Sequence, residues 1–586
     1  MKNLLLFFLS FLVSNSLLAS GDEEDNKTSN SKEEKKESFI DYFNFIPKVS
    51  KEFACHEDFL DFDGLVIRNI DVHVFDRYSK RLSNIDLDSI MIDNNGKDNA
   101  NQKLVKRQLL FKEGDVVDAI LFADAERYLR ENTIYTDAVI QIVPSADCLF
   151  ADVIIYVIDN RHWRAIFWAS PESITVGGEM VDFAGLPQSL QVFGSGLFNL
   201  TNPYRFGASY RINNIARSQI DLEASYDKQN IAEVSRFLLE KRFIAYNTKW
   251  AGSIDISNNS RKETENGFAD EISPHYNMGA VKKDVWLARS FAMPNLFPNK
   301  KSMRFIISGR STINHFYKIP EALPIQNYVN RQFYLGSFGI ANRDWYAFEE
   351  LYRFRDFDYV PKGFNIAILG GHEVNQFLGS RWYTGTTLNY NRLYKKFGYL
   401  QKEMQYGAFI RNGNYEQITA QFNVNYFTNR LDIGKFGFRQ FIRGSSTLSY
   451  NRPSTEFFSF SNQIRGLNSN NINMFGTRSF VVNFESVLYT PVKWWTSRGN
   501  LFLFADLGYI SDRERGLLFK NPIHQGYGIG IRFQHLITAI NYLQISFGYY
   551  PNGQLVGVSP IRVNVAGNPD RMIKSNNLYN AGILTD

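Results

Sequence analysis

From about Trp163 to Gly567, apolar and polar residues alternate in short runs divided by Asn, Gly, Asp and Pro. In 418–426 one side carries Ile418, Ala420, Phe422, Val424 and Tyr426, and the other carries Thr419, Gln421, Asn423 and Asn425. Leu543, Ile545, Phe547 and Tyr549 likewise oppose Gln544, Ser546 and Gly548. Period two predicts strands, because side chains of an extended chain point alternately to opposite faces. A sandwich alternates too, but its polar side meets bulk water and is rich in Lys and Glu. Here the polar side is largely Asn, Gln, Ser, Thr and Gly, which suits a wetted lumen inside a lipid-facing band. An open sheet edge in hydrocarbon leaves backbone groups unpaired at high cost, so such a sheet must close on itself. About 400 residues at roughly 10 per strand, with short turns at one end and longer loops at the other, predict about sixteen strands. The expected fold is an all-β transmembrane barrel of antiparallel strands over 161–567.

Ahead of it, 61–160 reads strand, helix, helix, strand, strand. Ile70, Val72 and Val74 share one face of a segment beginning at Leu65. A helix passes through Leu104, Val105 and Leu109 to Lys112-Glu113-Gly114-Asp115, where Gly114 supplies a stop and Asp115 can open the next helix. That next helix carries Leu121, Ala125, Tyr128 and Leu129 as one buried stripe, with Asp124, Glu126, Arg127 and Arg130 on its other face. Val139 to Val143 and Val153 to Val157 follow as strands around a turn at Pro144-Ser145-Ala146-Asp147. The stretch LVKRQLLFKEGDVVDAILFADAERYLRENTIYTDAVIQIVP, residues 104–144, resembles a POTRA domain, the small α+β (βααββ) module placed before bacterial outer-membrane assembly barrels. The resemblance implies that extended client chains are received by strand addition at an exposed sheet edge.

The N-terminus supplies the export signal such a protein needs. Met1-Lys2-Asn3 precedes an apolar run from Leu4 to Val13, broken by Ser10, and then Ser14-Asn15-Ser16-Leu17-Leu18-Ala19-Ser20. That is a signal peptide over 1–19, with cleavage expected after Ala19. Residues 20–60 read as a flexible charged leader and linker, too polar at their start to bury a core. No later apolar stretch reaches the ~20 residues a membrane helix needs, so a crossing must be made by strands.

Composition adds little except aromatics, which make up 15% of the 586 residues. Such rings fit girdles where hydrocarbon meets headgroups. The mean hydropathy of -0.28 is that of a soluble chain and hides the membrane. The net charge of +5 is the small difference between 65 basic and 60 acidic residues, which gives no reason to expect a nucleic-acid partner. The only two cysteines, Cys55 and Cys148, would meet an oxidising compartment, where they either pair as a disulfide or stay as free thiols. No enzymatic motif emerges. The histidines lack metal spacing, His372-Glu373 has no second His of a zinc helix, and no nucleophile elbow or P-loop occurs. No catalytic residue, metal or cofactor is expected.

Three segments near the end of the barrel stand in a telling order. Gln463-Ile464-Arg465-Gly466-Leu467 lies in a polar loop, Phe480 to Pro491 forms a strand with Glu485 on its lumen side, and Phe504-Ala505-Asp506-Leu507-Gly508 follows. An Arg465 folded into the lumen needs a partner, and Glu485 and Asp506 both point inward on the next strands. A guanidinium fork meeting carboxylates in a confined space makes short, charge-assisted bonds. With Gly526-Tyr527-Gly528-Ile529-Gly530 behind them, these segments resemble the BamA-like outer-membrane assembly and translocation superfamily, also called the surface-antigen family. Ile464, Arg465, Gly466 and Leu467 then correspond to its lumen loop motif, and Glu485, Phe504, Asp506 and Gly508 to the barrel-wall partners. Leu467 stands where the family more often has an aromatic, which forgoes ring stacking there. The chain also ends in a polar tail, 568–586, beyond a last strand expected at Ile561 to Ala566.

That resemblance implies an outer-membrane insertion factor whose first strand, expected within Ser173 to Phe183 and loosened by Gly177, Gly178 and Gly185, pairs weakly with the last. An opened seam exposes an edge that templates incoming strands. Its partners would be unfolded outer-membrane clients, the lipid bilayer and accessory lipoproteins, with the small domain in the periplasm. A two-partner-type secretion translocator and a passive outer-membrane pore or surface protein are the competing readings.

Overall fold

The period-two segment after Leu65 folds as strand β1 (Val66–Phe75). Helix α1 (Ala100–Gln108), helix α2 (Ala119–Glu131) and strands β2 (Tyr135–Pro144) and β3 (Phe150–Asp159) follow. The structure is a computed structural model. It describes residues 53–566 apart from 55, 76–99, 133, 148, 160–162, 171–172, 182–185, 198–203, 230–231, 264–275, 294–300, 320–327, 353–356, 435, 453–457, 461–462, 468–473, 495–496, 512–520 and 536–542. The signal peptide, the charged leader to residue 52, Cys55, Cys148, Phe183, Gly185 and the tail 568–586 lie outside the described residues.

In the small domain β3 is the central strand, parallel to β1 and antiparallel to β2. Ile70 and Val72 of β1, Val105 of α1, and Phe122 and Leu129 of α2 are buried in one core with Val153 and Ile155 of β3. The second helix begins three residues later than the sequence suggests. Asp118, not Asp115, is its cap, accepting from the amides of Ile120 and Leu121 at 3.1 Å each. Asp115 instead closes a turn by accepting from the Lys112 amide at 3.0 Å, with Gly114 at φ +87°. The intervening Val117 donates its amide to the Leu65 carbonyl and accepts from the Gly64 amide, so the helix cannot start before Asp118.

The wall is built from twenty antiparallel strands among the described residues. The first ten are β4 (Trp163–Ser170), β5 (Ser173–Val181), β6 (Gln188–Leu197), β7 (Tyr204–Ile212), β8 (Ile220–Gln229), β9 (Ala232–Lys241), β10 (Trp250–Glu263), β11 (Tyr276–Ala292), β12 (Met303–Lys318) and β13 (Arg331–Glu349). The others are β14 (Phe357–Asn375), β15 (Gly379–Tyr394), β16 (Gly398–Arg411), β17 (Asn414–Phe427), β18 (Phe436–Tyr450), β19 (Arg478–Trp494), β20 (Ser497–Ser511), β21 (His524–His535), β22 (Leu543–Tyr549) and β23 (Ile561–Ala566). Each is the neighbour of the next, and β23 stands beside β4 in the strand order. The count exceeds the expected sixteen because β4 to β9, at 8 to 10 residues each, are joined by turns shorter than that arithmetic assumed. The expected first strand also shifts. Wall pairing begins at Trp163, so 173–181 is the second strand and Gly177 and Gly178 lie within it. The last strand falls at Ile561–Ala566.

The alternation sorts as chemistry requires. Leu501, Leu503 and Leu507 on β20 are exposed outward, while Phe502, Phe504 and Asp506 between them are buried inward. Phe338, Ile366, Ile368, Ile529, Ile531 and Phe547 extend the exposed apolar band, the surface that hydrocarbon covers. The inner face is more charged than the sequence reading allowed. Arg236 donates to Asp255 at 2.6 and 2.8 Å, Arg310 pairs with Asp284, and Arg381 pairs with Glu373. The sequence pattern hides these cations because each is cancelled by an acid on the adjacent strand, which only register reveals.

The polar side of α2 is a second departure, since Asp124 and Arg127 are buried rather than solvated. They meet wall connections that all lie at one end of the barrel. Arg127 donates to the Ile244 carbonyl at 2.7 Å, and Asp124 accepts from the Tyr246 amide at 2.9 Å. Arg130 donates to the Tyr359 hydroxyl at 2.8 Å, and Lys301 to Asp63 at 2.6 Å. Burial raises the carboxyl of Asp124 above its ordinary range even though Arg127 and Arg343 oppose the shift. The small domain is thereby seated on the rim.

Candidate functional site

The connection between β18 and β19 carries 463–467 into the barrel because its apolar residues have a core to enter. Ile464 and Leu467 are fully buried with Phe460, Met474, Tyr550 and Val556. A backbone bond of 3.1 Å from Leu467 to Ile464 closes the turn, and Gly466 occupies φ +75°. A Cβ on Gly466 would also run into the Tyr550 hydroxyl oxygen. Gly466→Ala is therefore expected to destabilise the barrel by about 2–3 kcal/mol, combining left-handed strain with overpacking. A lowered temperature of heat-modified gel mobility would register this, and an unchanged midpoint would refute the tight fit.

Arg465, held at the turn, reaches both acids. Its Nε and Nη2 donate to the two oxygens of Asp506 at 2.9 and 2.7 Å, and its backbone amide adds a bond of 2.9 Å to the same carboxylate. Nη1 donates to Glu485, and Nη2 also donates to the Phe484 carbonyl at 2.8 Å. Asp506 is wholly buried and Glu485 nearly so. Phe504 lies beneath the guanidinium, with its ring centre 4.7 Å from the Arg465 Cζ. The aromatic contact that Leu467 forgoes is thus supplied to the arginine from the wall. Gly508 is small for a packing reason, since a Cβ there would overlap the ring of Phe460.

All eight loop and wall residues singled out in the sequence thus gather on one side of the lumen, while the two cysteines lie outside the described residues. Sequence reasoning missed a second arginine. Arg532 on β21 donates to both oxygens of Glu485 at 2.6 and 2.9 Å and to Gln544 at 2.8 Å. Its Cζ sits 4.1 Å over the ring of Phe502. Two cations and two carboxylates therefore balance in a buried group. The missed signal was parity, because Arg532 shares the inward face of Gly526, Gly528 and Gly530. The loop tip is tied further by the Tyr550 hydroxyl donating to the Arg465 carbonyl at 2.7 Å, and by Arg562 of β23 donating to the Gly466 carbonyl at 2.9 Å. The arrangement can hold a loop rigidly against the wall. Among the described residues it contains no nucleophile poised beside a base.

The fold and this buried cluster together define a β-barrel of outer-membrane type with a βααββ domain seated at one mouth and a loop clasped inside. No protein-family model matches the chain, and no curated protein matches it. Solved structures do show a distant likeness. BamA from Haemophilus ducreyi lacking POTRA domains 1–3 is 11% identical, with 86% of this chain and 85% of that one covered at a TM-score of 0.38. CdiB from Acinetobacter baumannii is 11% identical, with 86% and 73% covered and a TM-score of 0.41. CdiB from Escherichia coli is 9% identical, with 88% and 79% covered and a TM-score of 0.39. At such scores the likeness assigns no activity to this chain.

Proposed function

We propose that this chain is an outer-membrane insertion factor, in which the small domain receives client polypeptides and the barrel seam templates their strands. The observation that carries this reading is the uneven wall. The strands from β10 to β20 are 14 to 19 residues long, whereas β22 and β23 have 7 and 6 residues and β4 has 8. A ladder between such short strands offers few backbone hydrogen bonds, so the join of β23 to β4 is the weakest place for the wall to part. Parted strands present bare N–H and C=O groups to an arriving chain. Arg562, reaching the Gly466 carbonyl from β23, ties the last strand to the clasped loop, so one edge of the seam stays anchored while the other moves. On the small domain, β1 and β2 are the edge strands, the places where an extended client segment adds by backbone pairing.

The test is reconstitution. The purified protein in liposomes is expected to speed the folding of an added, urea-unfolded barrel substrate over empty liposomes, read by heat-modified gel mobility. Equal rates with and without the protein would overturn the proposal. Depletion in the cell separates the competitors: broad loss of outer-membrane barrels supports insertion, one missing exported protein supports secretion, and no change supports a passive pore.

A further inference from the structure

Strands β13 and β14 outrun the wall. Pairing of β13 with β12 stops at Asn342, and pairing of β14 with β15 stops at Gly363. The two strands nevertheless stay paired with each other from Arg343↔Gly363 to Glu349↔Phe357. The projecting hairpin alternates between two surroundings. Trp345 and Ala347 are buried in the core of the small domain, with Phe357 and Tyr359 packed against it. Phe348, Leu351 and Val360 are buried inside the barrel mouth with Tyr399, Phe427, Phe441, Tyr489 and Phe502. Those last residues come from β16, β17, β18, β19 and β20, so the hairpin leans away from its own place in the wall and across the lumen.

Both joints are specific. On the domain side, Arg127 and Arg343 lie 4.4 and 4.9 Å from the Trp345 ring, Arg130 lies 4.8 Å from the Phe357 ring, and residues 53–54 add a short antiparallel strand at Tyr346 and Ala347. On the lumen side, Phe348 meets Phe427 edge-on at 5.0 Å. The Tyr489 hydroxyl donates to the Leu351 carbonyl at 3.1 Å, and Arg430 donates to Glu350 at 2.9 Å. Phe502 and Phe504 continue this cluster up to the arginines of the clasp.

We propose that the β13–β14 hairpin is a bolt across the barrel mouth, held shut by the seated small domain, so that unseating α2 opens the lumen. One strand pair belongs to two cores at once, and a domain that moves off the rim takes Trp345 and Ala347 out of one of them. The hairpin then loses the support that presses Phe348 and Leu351 into the mouth. This inference requires the chain to be a membrane barrel but does not require it to insert clients.

Conductance in planar lipid bilayers tests it with the full-length protein. Arg127→Ala with Arg130→Ala weakens the domain joint, while also removing ion pairs to Asp124, Glu131, Glu126 and Asp137 inside the small domain, and Phe348→Ala with Leu351→Ala weakens the lumen joint. Phe333→Ala removes a buried ring from a separate inner cluster, with Leu335, Tyr383 and Phe409, and serves as control. Each double variant is expected to raise the open fraction roughly tenfold or more over wild type, with the control near wild type. Heat-modified mobility verifies folding, and Phe348→Leu replaces the lumen pair should that fail to fold. Wild-type conductance in folded joint variants overturns the bolt, as does an equal rise in the control. A rise from the lumen pair alone overturns the coupling to the domain. Client folding does not enter these readings, so failure as an insertase leaves a distinct result.

Discussion

Arg465→Ala is expected to lower the stability of the barrel by about 3–5 kcal/mol, the cost of leaving buried charge without its partner. Three side-chain nitrogens make four bonds, to Asp506, Glu485 and the Phe484 carbonyl, and all are lost together. The backbone amide of residue 465 keeps its bond to Asp506, so the loop retains a partial hold. Arg465→Lys restores only part of the loss, because one ammonium cannot face two Asp506 oxygens, a Glu485 oxygen and a carbonyl from a single point. Thermal loss of heat-modified mobility measures the change, and proteolysis within 463–467 reports release of the loop. Wild-type midpoints in both variants would show that the loop is held by Ile464 and Leu467 alone.

Glu485→Ala is expected to be as damaging, for a different reason. Glu485 accepts from both Arg465 and Arg532, so its removal leaves two buried guanidiniums to share Asp506. That carboxylate is already committed to Arg465. Adding Arg532→Ala should recover part of the loss, giving a coupling energy of about 1–3 kcal/mol in a double-mutant cycle. Gln544 loses its own bond to Arg532 in both variants that lack the arginine, which is why the recovery is incomplete. Strict additivity of the two substitutions would mean that Glu485 and Arg532 do not act as one group.

Much of the fold was legible because it rests on local periodicity. Leu543, Ile545, Phe547 and Tyr549 declare an outward face without reference to any other strand, and the stripe of Leu121, Ala125, Tyr128 and Leu129 declares a buried one. The site was legible where residue type and inward parity coincided, as in Glu485 and Asp506, with Arg465 recognised from its loop. Arg532 had the same parity but stands in a run of glycines and isoleucines, and its pairing depends on the register of β19, β20 and β21, which no local window contains. The position of the first wall strand was misjudged for a related reason. The glycines at 177 and 178 suggested a loose edge, yet looseness does not say whether another strand lies outside.

The sequence by itself determined that period-two segments would form a sheet with an apolar outside and a polar inside, that a βααββ unit would precede it, and that an arginine loop and two acids would face one another. Those outcomes follow from side-chain direction and from the cost of burying unpaired charge. Only the tertiary structure decided that α2 turns Asp124, Arg127 and Arg130 toward the barrel rim instead of toward water. It likewise decided that β13 and β14 overshoot the wall to join two cores. An amphipathic pattern states which face is polar but not what will satisfy it, and the partners here lie more than a hundred residues away along the chain.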